Sequence, residues 1–159
     1  MTLNEAVLSI GSNICPKDNI EKCVQLLGEH TKIEKVSNVW KTCAIGSKGP
    51  DFLNASVQIL TSLTKDQLKK DEIGRIETLL GRVRSQDKNA PRTIDLDIIL
   101  FNNRVMDDSL WRCLFIALPV SEIKPDIRHP KYDISLSELV KKMTSSEYAE
   151  LVKSFNLRV

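Results

Sequence analysis

The sequence predicts an α+β fold, two helices laid on one antiparallel sheet, and three observations predict it. Apolar or alternating runs of strand length recur at 6–10, 32–42, 53–59 and 95–101. Apolar residues at helical spacing recur in two long stretches between them. The two kinds of segment follow one another as β-α-β-β-α-β before a shorter tail, an order that packs both helices on one sheet in the ferredoxin-like plan.

Each element has its own reason. Ala6-Val7-Leu8-Ser9-Ile10 is a short apolar strand that Gly11 should stop, delivering Gly11-Ser12-Asn13 to a turn and a helix cap. Pro16, Lys17 and Asp18 open a helix whose buried stripe is Ile20, Cys23, Val24 and Leu27, with Gly28 expected to end it and His30 to meet its last carbonyls. The β-branched run 32–42 reads as one strand. In the next, Leu53, Ala55, Val57 and Ile59 alternate with Asn54, Ser56 and Gln58, which predicts one apolar and one wet face. Thr64-Lys65-Asp66-Gln67 is a capping box, followed by Leu68, Ile73, Ile76, Leu79 and Leu80 on one side of a long helix and Gly81 to close it. A strand over 95–101 should turn back near Asn102 and Asn103. Two short helices are expected at the end, marked by Leu136, Leu139, Val140 and Met143, and by Tyr148, Leu151, Val152 and Phe155.

The chain of 159 residues is long enough for a single domain over 1–159 with a core of its own. A net charge of +2 is too small for a general nucleic-acid or membrane binder. Cys15, Cys23, Cys43 and Cys113 show no C-x-x-C spacing, which argues against a zinc site, gives no disulfide pattern and leaves reduced thiols as the expectation. No run is apolar for long enough to span a bilayer, so a soluble, untargeted cytoplasmic protein is expected. The segment Gly46-Ser47-Lys48-Gly49-Pro50 is loop by composition, and there is no glycine-lysine phosphate loop of the Walker type.

The chemistry is concentrated between residues 82 and 100. Arg82, Arg84, Lys88 and Arg92 lie just ahead of Asp95 and Asp97, which alternation puts on one face of their strand while Ile94, Leu96, Ile98 and Leu100 line the other. Two carboxylates side by side repel unless a cation lies between them. Magnesium suits the pair, because it accepts one or two carboxylates and takes its other oxygens from water and phosphates, which the arginines could grip. An Asp-x-Asp pair can also be a solvated strand end; the preceding cations favour the metal-phosphate reading.

The run Asn89-Ala90-Pro91-Arg92-Thr93-Ile94-Asp95-Leu96-Asp97-Ile98-Ile99 resembles the signature of the 6-hydroxymethyl-7,8-dihydropterin pyrophosphokinases. Gly11-Ser12-Asn13, Gly46, Phe52-Leu53-Asn54-Ala55, Gly81-Arg82-Val83-Arg84 and Pro119-Val120-Ser121-Glu122-Ile123-Lys124-Pro125-Asp126 are similar to further blocks of that family, in its order. The resemblance implies a ferredoxin-like fold and transfer of diphosphate from ATP, the co-substrate, to the hydroxymethyl group of a reduced pterin in folate biosynthesis. It implies that Arg82, Arg84, Arg92, Asp95 and Asp97 act in catalysis, and that Asp95 and Asp97 hold two magnesium ions. Thr42, Cys43, Ala44, Phe52, Asn54 and Phe115 would bind the pterin, and Glu77, Arg84, Lys88, Arg92, Ile98 and Arg112 the ATP. Its partners would be these small molecules, with no nucleic acid and no membrane, and the protein would be a monomer.

The chain departs from the family pattern in one stretch. Between Phe101 and Phe115 it is about eight residues shorter, and the family's Pro-His pair has no counterpart. Arg112 stands one step out of register with the family's arginine, which on a strand would turn it to the other face. Asn89 replaces an aromatic, and Gly74 a polar nucleotide contact. Two other readings therefore stand beside an active pyrophosphokinase: a relative that binds pterin or nucleotide without turnover, and a two-metal nucleotidyltransferase, which shares Asp-x-Asp on such a sheet.

Overall fold

The computed structural model describes residues 2–42, 50–83, 92–153 and 157. In chain order they form β1 (Asn4–Ser12), α1 (Pro16–His30), β2 (Lys32–Val36), β3 (Trp40–Thr42), β4 (Phe52–Thr61), α2 (Lys65–Gln67), a π-helical segment (Leu68–Ile73), α3 (Gly74–Leu79), β5 (Asp95–Phe101), β6 (Arg104–Val105), a 3-10 turn (Asp108–Trp111), α4 (Leu114–Ile123), α5 (Leu136–Met143) and β7 (Glu150–Leu151). The strands make one antiparallel sheet in the order β6-β5-β1-β4-β3-β7, with β2 also on β4. The inner order β5-β1-β4-β2/β3 is that of the ferredoxin-like fold.

Several elements differ from the sequence reading, each for a local reason. β1 runs through Gly11 to Ser12, because Gly11 pairs with Asn54 on one side and Asp95 on the other. α1 continues past Gly28 to His30, where Thr31 turns extended and gives both its N–H and its hydroxyl to the Leu27 carbonyl. His30 turns away from those carbonyls to Glu72, at 2.9 Å. The 32–42 run breaks at Ser37, whose hydroxyl takes the Ser56 N–H at 2.7 Å in place of a ladder partner. The capping box holds in both directions, Thr64 with Gln67, but the helix it opens passes through π geometry before α3. It closes at Gly81, φ +75°, with Arg82 N–H on the Glu77 carbonyl and Gly81 N–H on that of Thr78, a Schellman ending.

The hairpin expected at Asn102 and Asn103 is present, with φ 50° and 65° at the two residues, as a tight primed turn requires. Before it, β5 carries an extra residue at Ile99, since Leu8 pairs with Ile98 and Val7 with Leu100. That bulge turns Leu100 into the second core, away from the face of Leu96 and Ile98. The expected terminal helix at Tyr148 and Leu151 is instead β7: Trp40 and Lys41 have an open backbone edge, and Leu151 and Glu150 pair with it.

The sheet is covered on both sides. One core joins Leu8, Ile10, Ala55, Val57 and Ile59 to α1 and to the helix through α3; the other joins Val7 and Ile99 to α4 and α5. The second layer explains why the expected wet face of β4 is dry. Asn54, Ser56 and Gln58 are all buried, and each bonds inside the protein, to the Thr42 hydroxyl, the Leu8 carbonyl and the Glu5 carboxylate. α4 conceals itself in the sequence, because it is apolar on nearly every side and has Pro119 inside it, so no polar stripe betrays its period.

Candidate active site

Sheet register collects the candidate residues on one face. Asp95 pairs with Gly11, Gly11 with Asn54, and Asn54 with Trp40, a straight line across β5, β1, β4 and β3. Two residues away along the strands, Asp97 faces Ser9, and Phe52 faces Thr42. Side chains two apart share a face, so Asp95, Asp97, Phe52, Asn54 and Thr42 all point to the side covered by α4. Asp95 and Asn54 are two strand spacings apart, about 10 Å.

Gly11 leaves the floor between them bare. A Cβ there would stand 3.2 Å from the Asn54 Oδ1 and 3.9 Å from the Phe52 ring. The Asn54 amide donates from Nδ2 to the Thr42 hydroxyl at 2.7 Å, which leaves Oδ1 turned to the space above Gly11 as an acceptor. Phe52 is half-buried, as is Phe115 in the first turn of α4, where it packs against the second core. Of the other expected pterin residues, Cys43 and Ala44 lie outside the described residues.

The carboxylates differ sharply in their partners. Asp95 receives Arg82 on one oxygen at 3.0 Å and Arg92 on the other at 2.9 Å. Arg82 also pairs with Glu77, which is buried and takes the Leu96 N–H at 3.4 Å. Glu77 is therefore an internal brace between α3 and β5. Asp97, by contrast, pairs with no cation and accepts no hydrogen bond among the described residues. Burial first, then Asp95 and Asp107, push its carboxyl up to about 6, partly offset by Lys69. A carboxyl kept unpaired beside a second carboxylate has the chemistry of a site that a divalent cation completes. No group of three His, Cys, Asp or Glu is set to cage a metal among the described residues.

The remaining expected residues are spread around this pair. Arg84 and Lys88 lie outside the described residues, as does Asn89. Ile98 turns to the face opposite Asp97 and packs half-buried against the first core; its backbone belongs to the stretch of β5 that β6 leaves unpaired, since β6 reaches only Leu100 and Phe101. Arg112 is exposed at the end of the 3-10 turn, so the strand-register argument about it does not apply. His129 accepts two backbone N–H groups on Nδ1 and packs between Trp111 and Tyr132, apart from this chemistry. A cleft of about 1160 Å³ bordered by Cys15, Lys17, Lys41, Leu53 and Leu151 is lined by none of the described candidates and faces the other side of the sheet at Leu53.

Sequence reasoning missed Asn13. It is buried and ties two segments together: its N–H and Oδ1 bond the backbone of Arg92, and its Nδ2 donates to the Pro50 carbonyl at 3.3 Å. Ser12 donates to the Thr93 carbonyl. The Gly11-Ser12-Asn13 block is thus structural, as expected, but it pins the start of the Asp95 strand rather than capping α1, whose cap position is Cys15 with no side-chain bond.

The family model described as 7,8-dihydro-6-hydroxymethylpterin-pyrophosphokinase matches residues 7–125. The 2-amino-4-hydroxy-6-hydroxymethyldihydropteridine pyrophosphokinase of Aquifex aeolicus is 31% identical over 156 residues, 92% of this chain and 96% of that protein. The protein of the same name from Bacillus subtilis is 34% identical over 132 residues, 76% of this chain and 78% of that one. Among solved structures, the Plasmodium falciparum HPPK-DHPS with pterin and p-hydroxybenzoate superposes with a TM-score of 0.72 at 14% identity, covering 91% of this chain and 44% of that one, which shares the fold. This chain thus spans less than half of that longer protein. With three quarters of its length matched and the sheet order to go with it, the chain belongs to the 7,8-dihydro-6-hydroxymethylpterin-pyrophosphokinase family.

Proposed function

We propose that the protein transfers diphosphate from ATP to the hydroxymethyl oxygen of 6-hydroxymethyl-7,8-dihydropterin, a step of folate biosynthesis. The new bond forms between that oxygen and the β-phosphorus, the bond from the β-phosphorus to the oxygen of the α-phosphate breaks, and AMP leaves while the hydroxyl proton passes to solvent. The observation that supports this best is the line Asp95–Gly11–Asn54, in which a polar reading group and a carboxylate pair share one sheet face with a bare floor between them.

In this reading the pterin lies over Gly11, its donor edge on Asn54 Oδ1 and the Thr42 hydroxyl, with Cys43 and Ala44 beside it and the rings of Phe52 and Phe115 on its two faces. Stacking supplies contact area and the hydrogen bonds supply identity. Asp95 and Asp97 would hold the divalent ions, two magnesium ions in our reading. Magnesium bound there supplies charge neutralisation at the phosphate oxygens and acidifies the acceptor hydroxyl. Arg82 and Arg92 leave Asp95 for those oxygens, joined by Arg84 and Lys88, because a guanidinium fork binds an oxyanion bidentately and stays charged. Glu77, Ile98 and Arg112 then border the nucleotide along the unpaired edge of β5. Alignment and charge carry most of such a transfer, so no dedicated base is assigned.

The nucleotidyltransferase reading shares the Asp95 and Asp97 pair but gives no role to the buried Asn54 and Thr42 pair beside the bare floor at Gly11, which favours the pterin reading. No described helix is long and apolar enough to cross a membrane; in our reading the protein works as a cytoplasmic monomer. The test is to mix the protein with the pterin, ATP and magnesium and measure AMP. AMP made only when pterin is present is the expected result. Pterin binding without AMP would leave a binding protein, and pyrophosphate released from nucleotides regardless of pterin would overturn the reading.

A further inference from the structure

Glu122, in the last turn of α4, is exposed, yet its carboxylate receives three hydrogen bonds from residues more than eighty positions away in sequence. The Asn38 backbone N–H reaches Oε1 at 3.1 Å, the Asn38 side-chain amide reaches Oε2 at 2.7 Å, and the Trp40 indole N–H reaches Oε1 at 3.0 Å. All three donors are neutral. The neighbouring Lys124 is paired with Glu5 at 2.7 Å. The contact is therefore a directional clasp rather than a surface ion pair.

What the clasp joins gives it a role. Its donors are Asn38, in the break between β2 and β3, and Trp40, the first residue of β3, and β3 also carries Thr42, whose hydroxyl orients Asn54. Its acceptor lies on α4, seven residues after Phe115, close to two full helical turns and so on the same helix face. The two side chains are about 10 Å apart along the helix axis. One bar thus presents an aromatic ring at one end and is bolted at the other to the strand that reads the polar edge.

We propose that Glu122 is a positioning residue for the pterin: it fixes the rotation of α4, and with it Phe115, relative to β3 and Thr42, and so sets the width of the slot in which the ring stacks. This rests on the pterin reading of the site given above. It makes no demand on the phosphate side, where Asp95 and Asp97 stand on β5 and Asn13 holds the Arg92 backbone.

The experiment compares Glu122→Ala, Glu122→Gln and Trp40→Phe with the parent chain, measuring the Kd of the pterin, KM for pterin and for ATP, kcat and thermal unfolding. Glu122→Ala should raise the pterin Kd and KM about tenfold while the ATP KM stays within about twofold. Glu122→Gln keeps an acceptor for the indole and the backbone N–H and should recover most of that loss. Trp40→Phe removes one of the three donors while keeping an aromatic ring against the second core, and should give a smaller loss of the same kind, which keeps the test decisive if Glu122→Ala does not fold. Equal changes in both KM values, or a lowered Tm with an unchanged pterin KM, would overturn the proposal. A parent chain that neither binds pterin nor makes AMP would instead remove the reading on which the proposal rests, and the proposal with it.

Discussion

Asn13 donates its backbone N–H to the Arg92 carbonyl at 3.1 Å and accepts the Arg92 N–H on its side-chain oxygen at 2.7 Å, joining residues 79 positions apart. Arg92 in turn reaches Asp95 at 2.9 Å. The buried amide thus sets the backbone from which the Arg92 guanidinium works. Asn13→Ala should lower stability by about 1–2 kcal/mol and lower kcat by about tenfold, with the pterin Kd little changed. Urea unfolding and steady-state kinetics check it; a pterin defect larger than the kcat defect would place Asn13 elsewhere.

Gly11 carries the second prediction. Its backbone lies within β1, where alanine is allowed, but the added methyl would press on Asn54 at 3.2 Å. Gly11→Ala should weaken pterin binding about tenfold and leave the Tm within a few degrees. Calorimetric titration with pterin and with an ATP analogue separates this from a general defect, since the analogue should bind as before.

Asp97 should show a trade between stability and activity. Its carboxylate is unpaired, half-buried and next to Asp95, so Asp97→Asn removes repulsion and should raise the metal-free Tm. The same change should cut turnover on the order of a thousandfold and abolish the rise in Tm that magnesium with an ATP analogue gives the parent chain. A variant that is less stable without metal would show that Asp97 has a structural partner.

The helix pair α1 and α3 should carry a titratable brace. Glu72 is buried, and although burial opposes it, the hydrogen bonds from Arg75 at 2.7 Å and His30 at 2.9 Å hold its carboxyl below the ordinary 4.5. A carboxyl depressed in the folded state contributes stability that is complete above its unfolded value and is lost as pH falls through the folded one. Glu72→Gln should therefore cost about 1–3 kcal/mol at pH 7 and flatten the acid limb of the Tm profile below about pH 4.5. An acid limb identical to that of the parent chain would contradict this.

These residues also show what could be read from the chain alone. Asp95 and Asp97 were legible because alternation on a strand is local, and so were the Thr64 box and the Asn102 turn, whose chemistry is complete within four residues. Asn54 was placed on a polar face correctly, but its burial depended on α4, a helix apolar all round that periodicity could not reveal. β7 followed from the open edge of β3, and Asn13 from a loop far along the chain; both are long-range pairings with no signal in their own neighbourhoods.

The most direct test of the central claim, that the Asp95 and Asp97 pair gathers divalent ions and so releases its arginines to the phosphates, is a crystal structure with the pterin, magnesium and a non-hydrolysable ATP analogue. The expected structure has metal bound at about 2.0–2.1 Å from both carboxylates, with the Arg82 and Arg92 guanidinium groups on phosphate oxygens. Nucleotide bound while both arginines still hold Asp95, with no metal between the two acids, would contradict it.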